Sequence, residues 1–541
     1  MTTTAELHIS GMSCASCAVN VKRALEAAGA RDVEVDWRSG RATVNTDDAS
    51  LEAVAVALDG SGYRVERVVE PGGSMADGGD GFDYDLAVLG SGGGAFAAAI
   101  AARRRDLSVV MVEAGTFGGT CVNVGCIPSK ALLAAAEARH RAGERRFPGV
   151  STEAGPVDFA ALIAGKREIV EGMRQRKYLD LADEYGIERI EGRARFVEGP
   201  ALEVDGRLIE AAHYLVATGS EPHIPDIQGL AESGYLNSTT AMELDGLPAS
   251  LLVLGGGYVA MEMAQLFAQL GTDVTMLVRS RLARREEPDV ADGIRDAFTS
   301  DGIAVIEGAR PTEVRRDGDQ VVVLTADGGE FRAAQLLVAT GRRPRTQGLG
   351  LEAVGVELGP DGEVVVGADM STSNPRVWAA GDVTGHPQFV YVAAKQAAIA
   401  IENAFERAGR QIDYSALPRI TFTNPAIASA GITEAQAHEQ GIDCECRVLG
   451  LDNVPRAVVS RRPGGVAKLV AERDSGRVLG VHLLAEGAGD AILAGVYAIE
   501  ARRTVADLAN AWDSYLTIGE AIHLAAVAFT RDPSKLSCCA A

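Results

Sequence analysis

Eight cysteines in 541 residues are too few for a disulfide scaffold, so the fold must rest on an apolar core rather than on covalent staples. Basic residues are also in the minority. The 52 Lys and Arg against 74 Asp and Glu leave a net charge of −22, which repels phosphate backbones and argues against nucleic acid as a partner. Membrane-length apolar runs are missing: the one long uncharged stretch, 86–102, is broken by "GSGGG", so no membrane insertion is expected. The first residues, "MTTTAELHIS", lack the basic and apolar segments of an export signal, and a cytoplasmic protein is the expectation. What is present is a chain 47% apolar and 23% charged, the composition of a soluble globular protein of two to four domains.

The few cysteines are placed suggestively. Six occur in close pairs, Cys14 with Cys17, Cys121 with Cys126, and Cys538 with Cys539, which points to thiol chemistry. Cys444 and Cys446 alternate along an expected strand, facing one side of the pleat, and read as small packing residues.

Periodicity divides the chain. Residues 1–69 give strand, helix, strand, strand, helix, strand, the ferredoxin-like βαββαβ order. A Gly- and Asp-rich stretch, 70–82, reads as a flexible linker. In the larger body, "YDLAVLGSGGGAFAAAIAARRR" sets Gly90, Gly92 and Ala95 at the spacing that brings pyrophosphate to a helix N-terminus. The next strand ends in Glu113, placed to hold a ribose hydroxyl. "LLVLGGGYVAMEMAQLFAQLG" repeats the pattern with Gly255, Gly257 and Ala260, so a second dinucleotide fold is inserted in the first. After its second strand stand Arg279 and Arg281, where an NAD site usually has an acid. They suit a 2′-phosphate and favour NADPH, a solvated basic turn being the alternative. The second cofactor, accepting hydride and handing electrons to thiols, is then best read as FAD.

Two resemblances add to this. "GMSCASC", with Cys14 and Cys17 before a helix in a βαββαβ context, resembles the heavy-metal-associated domain; such thiolates suit Cu(I), Zn(II), Cd(II) or Hg(II). "GGTCVNVGCIPSK", with "ATG" at 217–219 and 339–341 and "VWAAGDV" at 377–383, resembles the flavin disulfide reductases from about 83 to 530.

That second resemblance implies an α/β architecture of two nested Rossmann-like domains, FAD-binding over 83–225 and 345–415 and NAD(P)H-binding over 226–344. An α+β dimerisation domain over 416–530 and a flexible Cys-Cys tail over 531–541 follow. It implies that Cys126 is the flavin-proximal thiol and Cys121 the interchange thiol, that Lys130 and Glu262 pair beside the flavin, and that Tyr258 gates the nicotinamide. Asp382, with Gly119, Thr120, Thr218, Gly219 and Val390, would contact FAD, and Gly341 would lie at the nicotinamide nucleotide.

Disulfide-reducing members carry a His-Pro dipeptide five residues before a Glu, and the His serves as proton donor. Counting back from Glu520 gives Tyr515 followed by Leu516, and His523 reads as a packed residue. A disulfide substrate would lack its donor, whereas a metal moves by thiolate exchange and needs none. The resemblance therefore implies a metal-reducing member: a homodimer with active sites shared across its interface. It would take thiol-bound Hg(II) from small thiols or a transporter and reduce it to Hg(0), a mercury-detoxifying activity. Cys538 and Cys539 would relay the metal to Cys121 and Cys126, with Tyr178 and Tyr515 flanking the site or acting as core aromatics. The rivals are a high-molecular-weight thioredoxin reductase, which predicts His at 515, and a metal chaperone, which leaves the nucleotide folds unexplained.

Overall fold

The computed structural model describes residues 3–10, 12, 15–37, 41–46, 58, 63–69 and 81–536. Cys14, Cys538, Cys539, nearly all of the expected second helix of the front domain and most of the linker lie outside the described residues. Two compact units result, Met1–Asp83 and Tyr84–Ala541.

The small unit comprises β1 (Thr3–Ser10), α1 (Ala15–Ala27), β2 (Arg31–Asp36), β3 (Arg41–Thr46) and β4 (Arg64–Val69). Its antiparallel sheet runs β2-β3-β1-β4. Leu7, Ile9, Val33 and Val44 from the strands meet Val21 and Leu25 of α1, the helical i, i+4 spacing that turns one apolar stripe inward. Cys17 is the third residue of α1.

In the large unit, β5 (Tyr84–Leu89), β6 (Val109–Glu113), β7 (Glu188–Glu191), β8 (Ala211–Val216) and a late strand at Val377–Ala379 make one parallel sheet. The late strand pairs with β8 after an excursion of some 160 residues. The excursion builds a second parallel sheet from β9 (Ser250–Leu254), β10 (Asp273–Val278), β11 (Ala304–Glu307) and β12 (Gln335–Val338). One doubly wound sheet is thus nested in another, each with its central strand buried as an almost continuous apolar run.

A third sheet is antiparallel, formed by β13 (Pro418–Thr421), β14 (Ala426–Gly431), β15 (Cys444–Gly450), β16 (Val466–Glu472) and β17 (Val478–Ala485) in the order β13-β14-β17-β16-β15. Helices Ala488–Glu500 and Glu520–Val527 pack an apolar core against it. Beyond that core the large apolar side chains Leu493, Tyr497, Trp512, Tyr515 and Leu516 stand exposed. Among the described residues no helix is long and apolar enough to cross a membrane.

Candidate active site

The site forms where the C-terminal ends of the first parallel sheet meet two glycine turns, the usual ligand position in open α/β sheets. β5 ends at Gly90, whose φ is +106° and whose added Cβ would lie 2.5 Å from the Ala217 carbonyl oxygen, so only glycine fits. The helix Gly93–Arg103 starts at Gly92 with no side chain capping it, which leaves its first N–H groups for an anion. Gly119, at φ +65°, presses on the same turn; a Cβ there would be 2.4 Å from the Gly92 Cα. Glu113, at the end of β6, accepts hydrogen bonds from Ser91 Oγ at 2.6 Å and Gly115 N at 2.7 Å.

These turns border a cavity of about 1170 Å³. Its walls include Gly90, Gly92, Glu113, Gly119, Thr120, Cys121, Cys126, Lys130, Thr218, Gly219, Tyr258, Glu262, Asp382 and Val390, fourteen of the residues singled out from the sequence. Its size, its glycine cradle and its uncapped helix start fit an adenine dinucleotide such as FAD. Asp382 accepts from Ser220 Oγ at 2.6 Å, and Arg342 donates to the Ser220 hydroxyl and carbonyl, each at 2.7 Å.

Cys121 lies in a short helical turn, Gly119–Asn123, and Cys126 begins the helix Cys126–Gly143. Both are free thiols. The Cys121 thiol hydrogen-bonds to Cys126, and this contact, more than any other, lowers the Cys126 pKa to about 7; burial opposes it and the Lys130 ammonium assists. The same hydrogen bond, reinforced by burial, pushes Cys121 up. Ionisation of the pair is therefore favoured at Cys126 over Cys121.

Lys130 Nζ donates to Glu262 Oε2 at 2.6 Å and lies 4.6 Å from the centroid of the Phe422 ring, while Glu262 Oε1 accepts from the Phe422 backbone N–H at 3.0 Å. Tyr178 sits on a π-helical turn, Gln175–Leu179, an irregularity often found at functional sites. Its ring meets Phe96 edge-on at 4.8 Å. Burial foremost, and then the neighbouring Cys121 and Cys126 sulfurs, raise its hydroxyl pKa to about 12, so it stays a hydrogen-bond donor. Tyr258 faces Phe389, 6.3 Å between centroids.

The second nucleotide turn repeats the first. Gly255, at φ +134°, would place a Cβ 2.3 Å from the Ala339 carbonyl oxygen, and the helix Tyr258–Leu270 begins at Gly257 without a side-chain cap. Ala260 is wholly buried in that helix, as Ala95 is in the first. Gly341 has φ +132°. Arg279 is exposed just past β10, and Arg281 Nη2 is 3.4 Å from the Glu286 carbonyl oxygen.

Tyr515 is half exposed on the C-terminal unit and is not among the residues lining the cavity of its own chain. His523 is buried, its Nδ1 3.1 Å from the Leu508 carbonyl oxygen, in keeping with a packing role. Sequence reasoning missed Ser91, Ser220, Arg342 and Phe422. Ser91 sits inside the glycine turn and was within reach of inspection; the others meet partners more than 120 residues away in the chain or have no local signature.

Residues 84–397 match the pyridine nucleotide-disulphide oxidoreductase family, 417–526 match the dimerisation domain of the same oxidoreductases, and 6–64 match the heavy-metal-associated domain. The chain is 58% identical over 466 residues to a mercuric reductase of Streptomyces lividans, covering 84% of this chain and 98% of that protein. It is 43% identical over 540 residues to a mercuric reductase of Staphylococcus aureus, covering 99% of both. Among solved structures, an HOCl-induced flavoprotein disulfide reductase of Escherichia coli in its Cu(II) complex aligns with a TM-score of 0.75 at 28% identity, covering 83% of this chain and 99% of that one.

Proposed function

The chain belongs to the pyridine nucleotide-disulphide oxidoreductases, and we infer from this and from its end-to-end similarity to mercuric reductases that it is an oxidoreductase that reduces Hg(II). NADPH is the electron donor in this reading, with Arg279 and Arg281 at its 2′-phosphate. When bound, FAD supplies the conversion of hydride delivery from NADPH into electron delivery to the metal. Gly90, Gly92, Gly119 and Glu113 would hold its adenosine and pyrophosphate portions. Lys130, Glu262, Thr218, Gly219, Asp382 and Val390 would bound the rest.

The observation that carries the reading is the thiol pair at the cavity, one member ionised near neutral pH. A metal held as a dithiolate is taken over by ligand exchange. The Cys126 thiolate displaces one carrier thiolate, and Cys121 displaces the second while its proton passes to that leaving group. Both metal–sulfur bonds are then to protein sulfur. The overall balance is NADPH plus Hg(II) giving NADP⁺, H⁺ and Hg(0), with both protein thiols regenerated.

Tyr178, protonated at any working pH, can donate to the sulfur that carries excess charge. Tyr515 stands where a disulfide-reducing relative would need a His, so exchange that needs no acid suits this site better than disulfide cleavage. The exposed apolar group around Trp512 and Tyr515 would be covered in a homodimer, bringing Tyr515 and the tail thiols Cys538 and Cys539 to the partner's cavity. The front domain, through Cys14 and Cys17, would capture metal from small thiols or a transporter in the cytoplasm.

The test is NADPH oxidation by the flavin-loaded protein in excess small thiol, comparing Hg(II) with glutathione disulfide and oxidised thioredoxin. Oxidation that depends on Hg(II) supports the assignment; oxidation that depends only on a disulfide overturns it.

A further inference from the structure

Cys444 and Cys446 lie outside the cavity, on the edge strand β15 of the C-terminal sheet. They pair opposite Glu472 and Val470 of β16, so both thiols project from one face, about 6.8 Å apart along the strand. The short helix Glu434–Glu439 packs on that face, begun by a capping box at Thr433. Its residues Glu434 and His438 are one turn apart, a rise of about 6 Å, which nearly matches the two-residue repeat of the strand. The partners therefore meet in order.

His438 Nε2 is 3.4 Å from Cys444 Sγ. The Glu434 carboxylate lies near enough to the Cys446 thiol for each to act on the other electrostatically, and it accepts from Lys468 Nζ at 2.7 Å. Cys444 is buried, whereas Cys446 is half-buried and His438 is exposed, so the pair is reached from solvent along the helix.

A purely packing role explains the buried Cys444 but not a second, half-buried thiol beside a carboxylate and near an imidazole. A disulfide is the first alternative, yet the strand spacing lies at the upper limit of Cα separations that a disulfide spans. Among the described residues no group of three or more Cys, His, Asp or Glu side chains is gathered around one centre as a tetrahedral or octahedral cation requires. Two soft sulfurs suit a cation content with two ligands. With metal–sulfur bonds of roughly 2.3 Å, a linear bridge spans about 4.6 Å, less than the strand spacing and reachable by rotating the two side chains.

We propose that Cys444 and Cys446 form a second site for a two-coordinate thiophilic cation of the Hg(II) or Cu(I) class, with His438 at its solvent edge. Loading is ligand exchange without electron transfer. Each protein S–H bond gives way to a metal–sulfur bond, and each departing carrier thiolate leaves with that proton as a thiol. The site holds metal apart from the reducing cavity, and its occupation does not depend on whether that cavity reduces the metal.

The test uses the full-length, flavin-loaded protein without NADPH, given HgCl₂ with two equivalents of 2-mercaptoethanol and then desalted. The Cys444→Ser/Cys446→Ser variant is expected to retain one Hg(II) fewer per chain, with NADPH-dependent Hg(II) turnover within twofold of the unsubstituted protein. Equal retention overturns the proposal. Should the double variant fold poorly, the unsubstituted protein decides: metal loading is expected to block modification of both thiols by a small maleimide. Modification at the same rate with and without metal overturns the site.

Discussion

Replacing Lys130 with methionine probes how the thiolate is held. The Lys130 ammonium meets Glu262 Oε2 at 2.6 Å, with the lysine 34% and the glutamate 5% exposed. Without the lysine, a buried carboxylate keeps one backbone hydrogen bond, from Phe422, and no countercharge. Breaking a buried pair by removing one partner costs 3–5 kcal/mol. Because Lys130 is partly solvated, the low end applies, about 3 kcal/mol. Adding Glu262→Leu removes the stranded charge and leaves only the Phe422 N–H unpaired, so the double variant should lose about 1–2 kcal/mol.

The same residues act on Cys126, which is lowered to about 7 first by the Cys121 hydrogen bond and then by Lys130, against burial and Glu262. Lys130→Met should therefore raise the pH midpoint of Cys126 alkylation, and Glu262→Gln should lower it. Urea unfolding of the single and double variants, with peptide-resolved alkylation between pH 5 and 10, reads both effects. A double variant as unstable as the single one, or a midpoint indifferent to Lys130, would refute the reasoning.

Other consequences can be checked in the same preparations. Gly90→Ala puts a Cβ 2.5 Å from the Ala217 carbonyl oxygen at a φ of +106° and should lower flavin content after purification at least tenfold; a normal flavin spectrum would contradict the cradle. Cys538→Ala/Cys539→Ala should leave flavin reduction by NADPH intact and slow turnover of thiol-bound Hg(II) at least tenfold, and unchanged turnover would defeat the relay. Removing residues 1–69, which belong to a separate compact unit, should leave turnover in low competing thiol within twofold. Complete loss would instead put the front domain on the required path.

What the sequence disclosed depended on how local each device is. The phosphate turns at Gly90 and Gly255 are written in a few consecutive residues because a close backbone approach needs glycine at fixed positions, and both show the positive φ that demands it. The nesting of one sheet in the other was legible from the second glycine turn, and the return strand at 377–379 closes the first sheet beside β8. Lys130 and Glu262, 132 residues apart, came from family resemblance, since spacing alone joins nothing at that distance.

Phe422 bonding to Glu262, and Arg342 with Ser220 around Asp382, had no local signal, because these contacts join residues separated by 160, 122 and 162 positions in the chain. Cys444 and Cys446 were visible as a pair. Their neighbours Glu434 and His438 were not, since it is the match of helix pitch to strand repeat that brings them together.

The most direct measurement is the mercury balance of the flavin-loaded protein turning over in excess thiol, with NADPH followed by absorbance and volatile mercury trapped from the headspace. Reduction of Hg(II) at the Cys121 and Cys126 pair requires one Hg(0) released per NADPH oxidised, and release that stops when either thiol is replaced. NADPH consumed without volatile mercury, or release that survives loss of both thiols, would contradict it.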